Sequence, residues 1–227
     1  MKLTIQVVIA ICTVLTLALV PVLHAVTPAP DGGYAGNNTA EGQNALLNLN
    51  LTSGLNNTAV GWNSLKSISA TSNNTGVGAG ALSANIGDGN TATGSVALFK
   101  NATGASCTAM GFAALYNQNS GHYNSAFGNQ ALFSHIAGGS NTAIGGSALY
   151  SDRYGSYNTA VGIDALYSNI NGLANTAVGG FALLSNTASD NTAVGSSALQ
   201  HNTTGRYNAA VGGNALKTNI DGLSNAA

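Results

Sequence analysis

The residues that could carry acid–base or metal chemistry are few in this 227-residue sequence, and they do not cluster. The three histidines beyond the N-terminal segment, His122, His135 and His201, lie far from one another and from any cysteine pair, so they form no zinc-binding pattern. The carboxylates beyond the N-terminal segment are Asp31, Glu41, Asp88, Asp152, Asp164, Asp190 and Asp221. No pair of them recurs at a spacing suited to general acid–base catalysis. The sequence therefore predicts no enzyme site, no metal site and no cofactor.

Two short features have a chemical interpretation that the wider pattern does not support. Gly87-Asp88-Gly89 and Asp221-Gly222 are similar to calcium-binding turns of repetitive β-rolls. Such turns need an aspartate in nearly every repeat, and most repeats of this chain lack one. Cys107 is the one cysteine outside the N-terminal segment. We interpret it as a buried small residue, with an intermolecular disulfide of an exported oligomer as the alternative.

Composition and charge exclude several classes of protein. Charged residues make up 6% of the chain, against about 25% in average soluble proteins. A formal net charge of −1 argues against nucleic acid and anionic membranes as partners. The hydrophobic share of 44% argues against intrinsic disorder. Glycine occurs 30 times and asparagine 29 times. These counts favour regular, repetitive β structure.

The N-terminal segment has the pattern of an export signal. One positive charge at Lys2 precedes a long apolar stretch that ends at the small residue Ala25. We predict a signal peptide over residues 1–25 and an extended leader over residues 26–36, with an uncleaved membrane anchor as the alternative. The mature protein is then secreted or displayed at the cell surface.

From residue 37 to residue 227 one motif, Asn-Thr-Ala-Val-Gly-x-x-Ala-Leu, recurs about every seventeen residues. We number repeat positions from its leading asparagine. Glycine at position 5 and leucine at position 9 are present in all eleven complete copies. Ten copies of each are assigned a structural role: Gly61, Gly78, Gly94, Gly111, Gly128, Gly145, Gly162, Gly179, Gly195 and Gly212, with Leu65, Leu82, Leu98, Leu115, Leu132, Leu149, Leu166, Leu183, Leu199 and Leu216.

A seventeen-residue unit rich in glycine and asparagine is too short for a helix pair and predicts one coil of a solenoid. We expect two short strands and two turns per coil, with parallel pairing between coils. Valine and leucine would fill the interior, and the leading asparagines would form an amide ladder. A single coil cannot offset its conformational entropy, so stability has to accumulate along the stack. The prediction is an all-β, parallel β-solenoid of about eleven coils.

Two columns of side chains are candidate surfaces. At position 10, five consecutive coils carry aromatic residues, which predicts rings stacked about 5 Å apart. We interpret this stripe as corner packing or a subunit interface, with a sugar- or protein-binding strip as the alternative. The stripe consists of Phe99, Tyr116, Phe133, Tyr150 and Tyr167. Position 2 is a column of threonines from Thr39 to Thr192, with Ser125 in one coil; facing outward, it would suit ice binding. We expect instead that valine at position 4 faces inward and takes threonine with it.

The repeat resembles the head repeat of YadA-like trimeric autotransporter adhesins and similar repeats of phage tail fibres. Asn158-Thr159-Ala160-Val161-Gly162-Ile163-Asp164-Ala165 is a representative copy, and the resemblance covers about residues 36–227. It implies a left-handed β-roll, a homotrimer and binding to a host protein, a matrix protein or a glycan. The period of seventeen is longer than that of the family's head. The sequence also has no recognisable stalk, membrane barrel or chaperone domain, and we interpret it as a fragment truncated at the C-terminus.

The resulting prediction is an exported, non-enzymatic surface fibre of the adhesin type. An ice-binding solenoid that uses the threonine column is the first alternative. A tail-spike-like enzyme acting on glycans is a weaker one, because that class needs clustered acidic or basic residues on one face.

Overall fold

The computed structural model describes residues 34–50 and 52–227. This part of the chain contains eleven strands and no helix, so no helix in it could cross a membrane. The strands are β1 Thr39–Glu41, β2 Thr58–Val60, β3 Thr75–Val77, β4 Thr91–Thr93, β5 Thr108–Met110, β6 Ser125–Phe127, β7 Thr142–Ile144, β8 Thr159–Val161, β9 Thr176–Val178, β10 Thr192–Val194 and β11 Ala209–Val211. The predicted signal peptide, 1–25, and residues 26–33 of the predicted leader lie outside the described residues.

The eleven strands form one parallel sheet whose spatial order equals the sequence order. Equivalent repeat positions pair directly: Thr159 pairs with Thr176, and Val161 pairs with Val178. Each coil therefore lies on the preceding one in register. The predicted all-β, parallel β-solenoid is confirmed.

Each coil contains one strand, so the prediction of two strands per coil is wrong. The sign of φ alternates along positions 6 to 10 of each coil, and it is positive at positions 7 and 9. The position 9 leucines all have positive φ, from 47° at Leu216 to 54° at Leu82, with 53° at Leu166. A left-handed non-glycine residue costs about 1–2 kcal/mol. Full burial of the Leu166 side chain and a 3.0 Å bond from its N–H to the Ala182 carbonyl of the next coil offset this cost.

The interior is filled by alanine and leucine, so the prediction of an inward valine column is also wrong. In β8, Ala160 is fully buried, whereas Thr159 and Val161 are only partly buried. On the opposite wall Ala165 and Leu166 are fully buried. Because side chains alternate along a strand, the inward alanine sends both threonine and valine to the outside.

The distance between the two walls explains this choice. β3 carries Gly76 where the other strands carry alanine, and Ser64 stands where the other coils carry alanine at position 8. A Cβ added at Gly76 would lie 2.6 Å from Ser64 Oγ, and Ser64 Oγ donates a 2.9 Å bond to the Gly76 carbonyl. The bore therefore has room for one methyl group from each wall at this level. A valine cannot fit there.

The position 5 glycines allow the coils to approach closely at the turn after each strand. Gly162 has φ of 134°, and a Cβ added to it would lie 2.6 Å from the backbone of Gly179 in the next coil. Any side chain here would collide with backbone as well as adopt an unfavourable conformation. Backbone contact therefore requires the glycine column that the repeat shows.

The predicted amide ladder is confirmed at position 1, where the asparagines are buried. Asn158 Nδ2 donates to Asn141 Oδ1 at 3.3 Å and to the Gly172 carbonyl at 2.8 Å. Asn158 Oδ1 accepts from the backbone N–H of Asn175 at 3.0 Å. One side chain thus satisfies polar groups of both neighbouring coils, which lets an uncharged chain bury its turns.

Candidate functional site

The outer side of the eleven-stranded sheet is a regular surface that runs along the stack of coils, and we call it the sheet face. It consists of the position 2 and position 4 side chains of β1–β11. Exposed fractions at position 4 include 37% for Val60, 43% for Met110 and 42% for Ile144. Glu41 is the one charged residue on this face. A long strip of exposed apolar side chains with almost no charge is unusual on a monomer and typical of an interaction surface.

The second column of the sheet face presents hydroxyl groups. Thr142, Thr159 and Thr176 pair with one another across neighbouring strands, so their side chains repeat at the strand spacing of about 4.8 Å. In the described part of the chain, the hydroxyls of these three residues form no hydrogen bond with protein atoms. They are therefore available to solvent or to a partner.

The aromatic stripe at position 10 stacks as the repeat predicts. Neighbouring ring centroids are 5.1–5.4 Å apart, and interplanar angles range from 2° to 12°. The five rings are partly buried, and Leu184 continues the column. The small angles indicate that successive coils stack with little relative rotation.

Stacking leaves the rings of the stripe with their faces covered by one another. Tyr116, Phe133 and Tyr150 each have a neighbour on both sides, so they present only ring edges outward. The ammonium group of Lys100 lies 5.1 Å from the Tyr116 ring centroid and 2.9 Å from Asn117 Oδ1. This geometry suits packing along the corner better than binding a sugar on a ring face.

Inside the solenoid, position 12 forms a second polar column, which the sequence analysis did not identify. Most of its members are buried amides such as Asn101, Asn169 and Asn202. In two adjacent coils the amide is replaced by His135 and Asp152. His135 Nδ1 lies 2.8 Å from Asp152 Oδ2, and both side chains are fully buried. The sequence could have predicted this contact, because His135 and Asp152 occupy the same repeat position in adjacent coils.

The Asp152 carboxyl takes part in three hydrogen bonds, yet burial has the largest effect on its pKa. Desolvation raises the pKa of Asp152, while the contacts with His135, Asn169 and the Gly155 N–H lower it by less. Asp152 Oδ1 accepts from Asn169 Nδ2 at 2.9 Å and from Gly155 N at 3.2 Å. Both side chains are fully buried, so we assign the pair a structural role in the position 12 column.

Cys107 replaces an asparagine of the first ladder and is buried and free, as we expected of a small interior residue. Burial raises the pKa of its thiol, which keeps the group protonated and unreactive. Gln118 Nε2 lies 3.1 Å from Cys107 Sγ. The larger amide at position 12 therefore reaches the place where an asparagine would otherwise be.

The structure places the residues singled out in the sequence in two groups. The position 5 glycines and position 9 leucines line the coil contacts and the interior, and the aromatic stripe follows one corner. No group of three histidine, cysteine or acidic side chains that could hold a metal ion occurs in residues 34–50 and 52–227. No family model, curated protein or solved structure matches the chain.

Proposed function

We propose that the protein is an exported, non-enzymatic surface fibre of the adhesin type. The sheet face carries this proposal, because it offers a partly apolar strip along the stack of coils whose one charged residue is Glu41. Each coil adds about 4.8 Å, so the eleven strands span roughly 50 Å. Such a rod is suited to extending a binding surface away from its attachment. The N-terminal export pattern supports a location outside the cytoplasm.

The sheet face also supports assembly into a homotrimer. Val178 and Val194 are 36% and 37% exposed, and no element among residues 34–50 and 52–227 covers the apolar column to which they belong. A second and a third copy of the same face would remove it from water at about 25 cal/mol per Å² of apolar surface. Threonines beside the column can exchange hydrogen bonds between the copies.

Adhesion is tested by the binding of the purified protein to immobilised collagen, fibronectin and laminin. Concentration-dependent, saturable binding to one of these surfaces supports an adhesin. A protein that is secreted, assembled and bound by none of them would be a structural fibre without adhesive activity on matrix proteins.

Ice binding is a second candidate, favoured by the outward position of the threonines. Our expectation that threonine faces inward had argued against it. Regular hydroxyl and methyl groups on a flat, rigid sheet can order water in a lattice-like array. A monomer would leave this face free, whereas a trimer would cover it, so both functions cannot use the same face at once.

Thermal hysteresis and inhibition of ice recrystallisation test this candidate. Thr142→Lys with Thr159→Lys would abolish both activities by disrupting the face, while Thr103→Lys, an exposed site away from the sheet, would retain them. Absence of both activities in the wild-type protein removes ice binding as a function.

A further inference from the structure

A notch interrupts the corner of the solenoid just before the leading asparagines of three coils. It is a cavity of about 320 Å³, with Tyr123 on one side and Tyr157 on the other. Its floor is formed by Gly138, Gly139 and Ser140 of the coil between them. The two tyrosines are 68% and 70% exposed, so their rings are not used in packing the rod.

The sequence of the middle coil opens the notch. Position 17 carries Tyr123, Ser140 and Tyr157 in three successive coils, so the aromatic ring is missing only in the middle. Position 16 of the middle coil is Gly139, where an added Cβ would lie 2.7 Å from the His122 carbonyl. The floor therefore cannot carry a side chain at that point, and the gap is built into the backbone.

Because of the spacing between coils, the gap between Tyr123 and Tyr157 is large enough for one ring. Along the aromatic stripe of the same rod, rings on neighbouring coils are 5.1–5.4 Å apart. Tyr123 and Tyr157 are two coils apart, which places their backbones about 10 Å from each other and allows their rings the same separation. A flat ring held midway would lie about 5 Å from both, within the normal range for stacked rings.

The polar groups of the notch are neutral and suit a ligand rich in hydroxyls. Ser120, Ser140 and Ser156 contribute hydroxyl groups, and no acidic residue, lysine or arginine lines the cavity. His122 Nδ1 accepts a 3.1 Å bond from the Ala105 N–H, so the neutral imidazole presents its Nε2–H as a donor. Two aromatic walls with a few convergent polar groups are the usual composition of a small-ligand site.

We infer that this notch binds one neutral pyranose ring of a glycan, held between Tyr123 and Tyr157. The apolar C–H faces of the sugar pack against the two rings, and its hydroxyls bond to the serines and to His122. The inference deepens the proposed adhesin function and rests on it for its biological meaning. It places glycan recognition at this notch, away from both the sheet face and the aromatic stripe.

Saturation-transfer NMR with methyl β-galactopyranoside, methyl β-glucopyranoside and methyl α-mannopyranoside tests the inference on the full chain. Tyr157→Ala removes one wall. Ser140→Tyr fills the gap with a third ring, in a backbone conformation (φ of 59°) that Tyr123 and Tyr157 already adopt at 57° and 61°. Tyr207→Ala is the matched control, since Tyr207 is 62% exposed at the same repeat position but has no tyrosine two coils away.

We expect at least one pyranoside to bind the wild-type protein and the Tyr207→Ala variant equally. Binding should weaken about tenfold or more in Tyr157→Ala and in Ser140→Tyr. No transfer to any of the three sugars, or binding that survives both notch variants, overturns the inference. Sedimentation of the same samples separates the two proposals: a trimer without sugar binding overturns only the notch, and a sugar-binding monomer overturns only the trimer.

Discussion

At the residue scale, the smallest side chains determine how closely neighbouring coils approach and how wide the interior is. Glycine at position 5 allows backbone to touch backbone, and alanine at positions 3 and 8 sets the width of the interior. The sequence pattern identified the position 5 glycines as structural, but it did not identify the alanines. It could not show whether valine or alanine of each strand faces the interior, because alternation along a strand has two possible phases. The phase became clear only from the limited width of the bore.

Gly162→Ala should be strongly destabilising, because the added Cβ meets the backbone of Gly179 at 2.6 Å in a left-handed conformation. We expect a loss of about 3 kcal/mol or more in the free energy of unfolding, measured by urea titration. Gly146→Ala is the matched control one coil away. It has open space within 4 Å of its Cβ position, so its stability should change little. Equal effects of the two substitutions would contradict the close-approach explanation.

Gly76 and Ser64 should behave as a compensating pair. Gly76→Ala alone should cost about 1–3 kcal/mol, because its Cβ would lie 2.6 Å from Ser64 Oγ. In a Ser64→Ala background the same substitution restores the alanine pair of the other coils, and its cost should disappear. A double-mutant cycle with urea unfolding measures this coupling. Additive effects would show that the two walls do not touch at this level.

At the element scale, each coil combines one strand with a turn of alternating handedness and two buried polar columns. The period, the parallel pairing and the asparagine ladder could be predicted from the repeat alone. The second strand could not be excluded, because Ala-Leu has no sequence feature that reports a left-handed leucine. The position 12 column is harder to recognise in the sequence, because amide, histidine and aspartate side chains occupy this position in different coils.

Asn158→Ala tests the first ladder. It leaves the buried N–H of Asn175 without its acceptor, and we expect a loss of about 2–3 kcal/mol in the free energy of unfolding. Asn129→Ala provides the control, because Asn129 is exposed and its side chain makes no hydrogen bond in the described structure. If both variants unfold at the same urea concentration, the ladder contributes nothing measurable.

The buried His135–Asp152 pair should give the protein a distinctive pH dependence. Because burial raises the pKa of Asp152, the folded protein retains this proton at pH values where the unfolded chain has released it. The contribution of Asp152 to stability therefore falls as pH rises from its ordinary pKa through the raised one.

Asp152→Asn removes this titration and makes position 12 an amide, as at Asn169 in the next coil. We expect the variant to be more stable than the wild-type protein at pH 7, with the difference shrinking as the pH is lowered toward 4. Urea midpoints at several pH values measure it. A difference independent of pH, or a less stable variant at pH 7, would contradict the assignment of Asp152.

At the scale of the whole molecule, in-register stacking turns one repeat into continuous columns. The same regularity that fills the interior with alanine and leucine arranges threonine and aliphatic side chains along the sheet face. An exposed apolar column of this length is typical of an interaction surface, and we propose that three copies of the chain cover it. The notch differs from these columns because it depends on a departure from the repeat, at Ser140.

The central claim is that the sheet face joins three chains, and the molar mass in solution tests it most directly. Sedimentation equilibrium of the wild-type protein at micromolar concentration should give three times the mass of one chain. Ile144→Glu combined with Val178→Glu should give monomers by placing charges in the interface. Ile163→Glu, at a residue 56% exposed outside the sheet, should remain trimeric. A wild-type protein with the mass of a single chain would contradict the account.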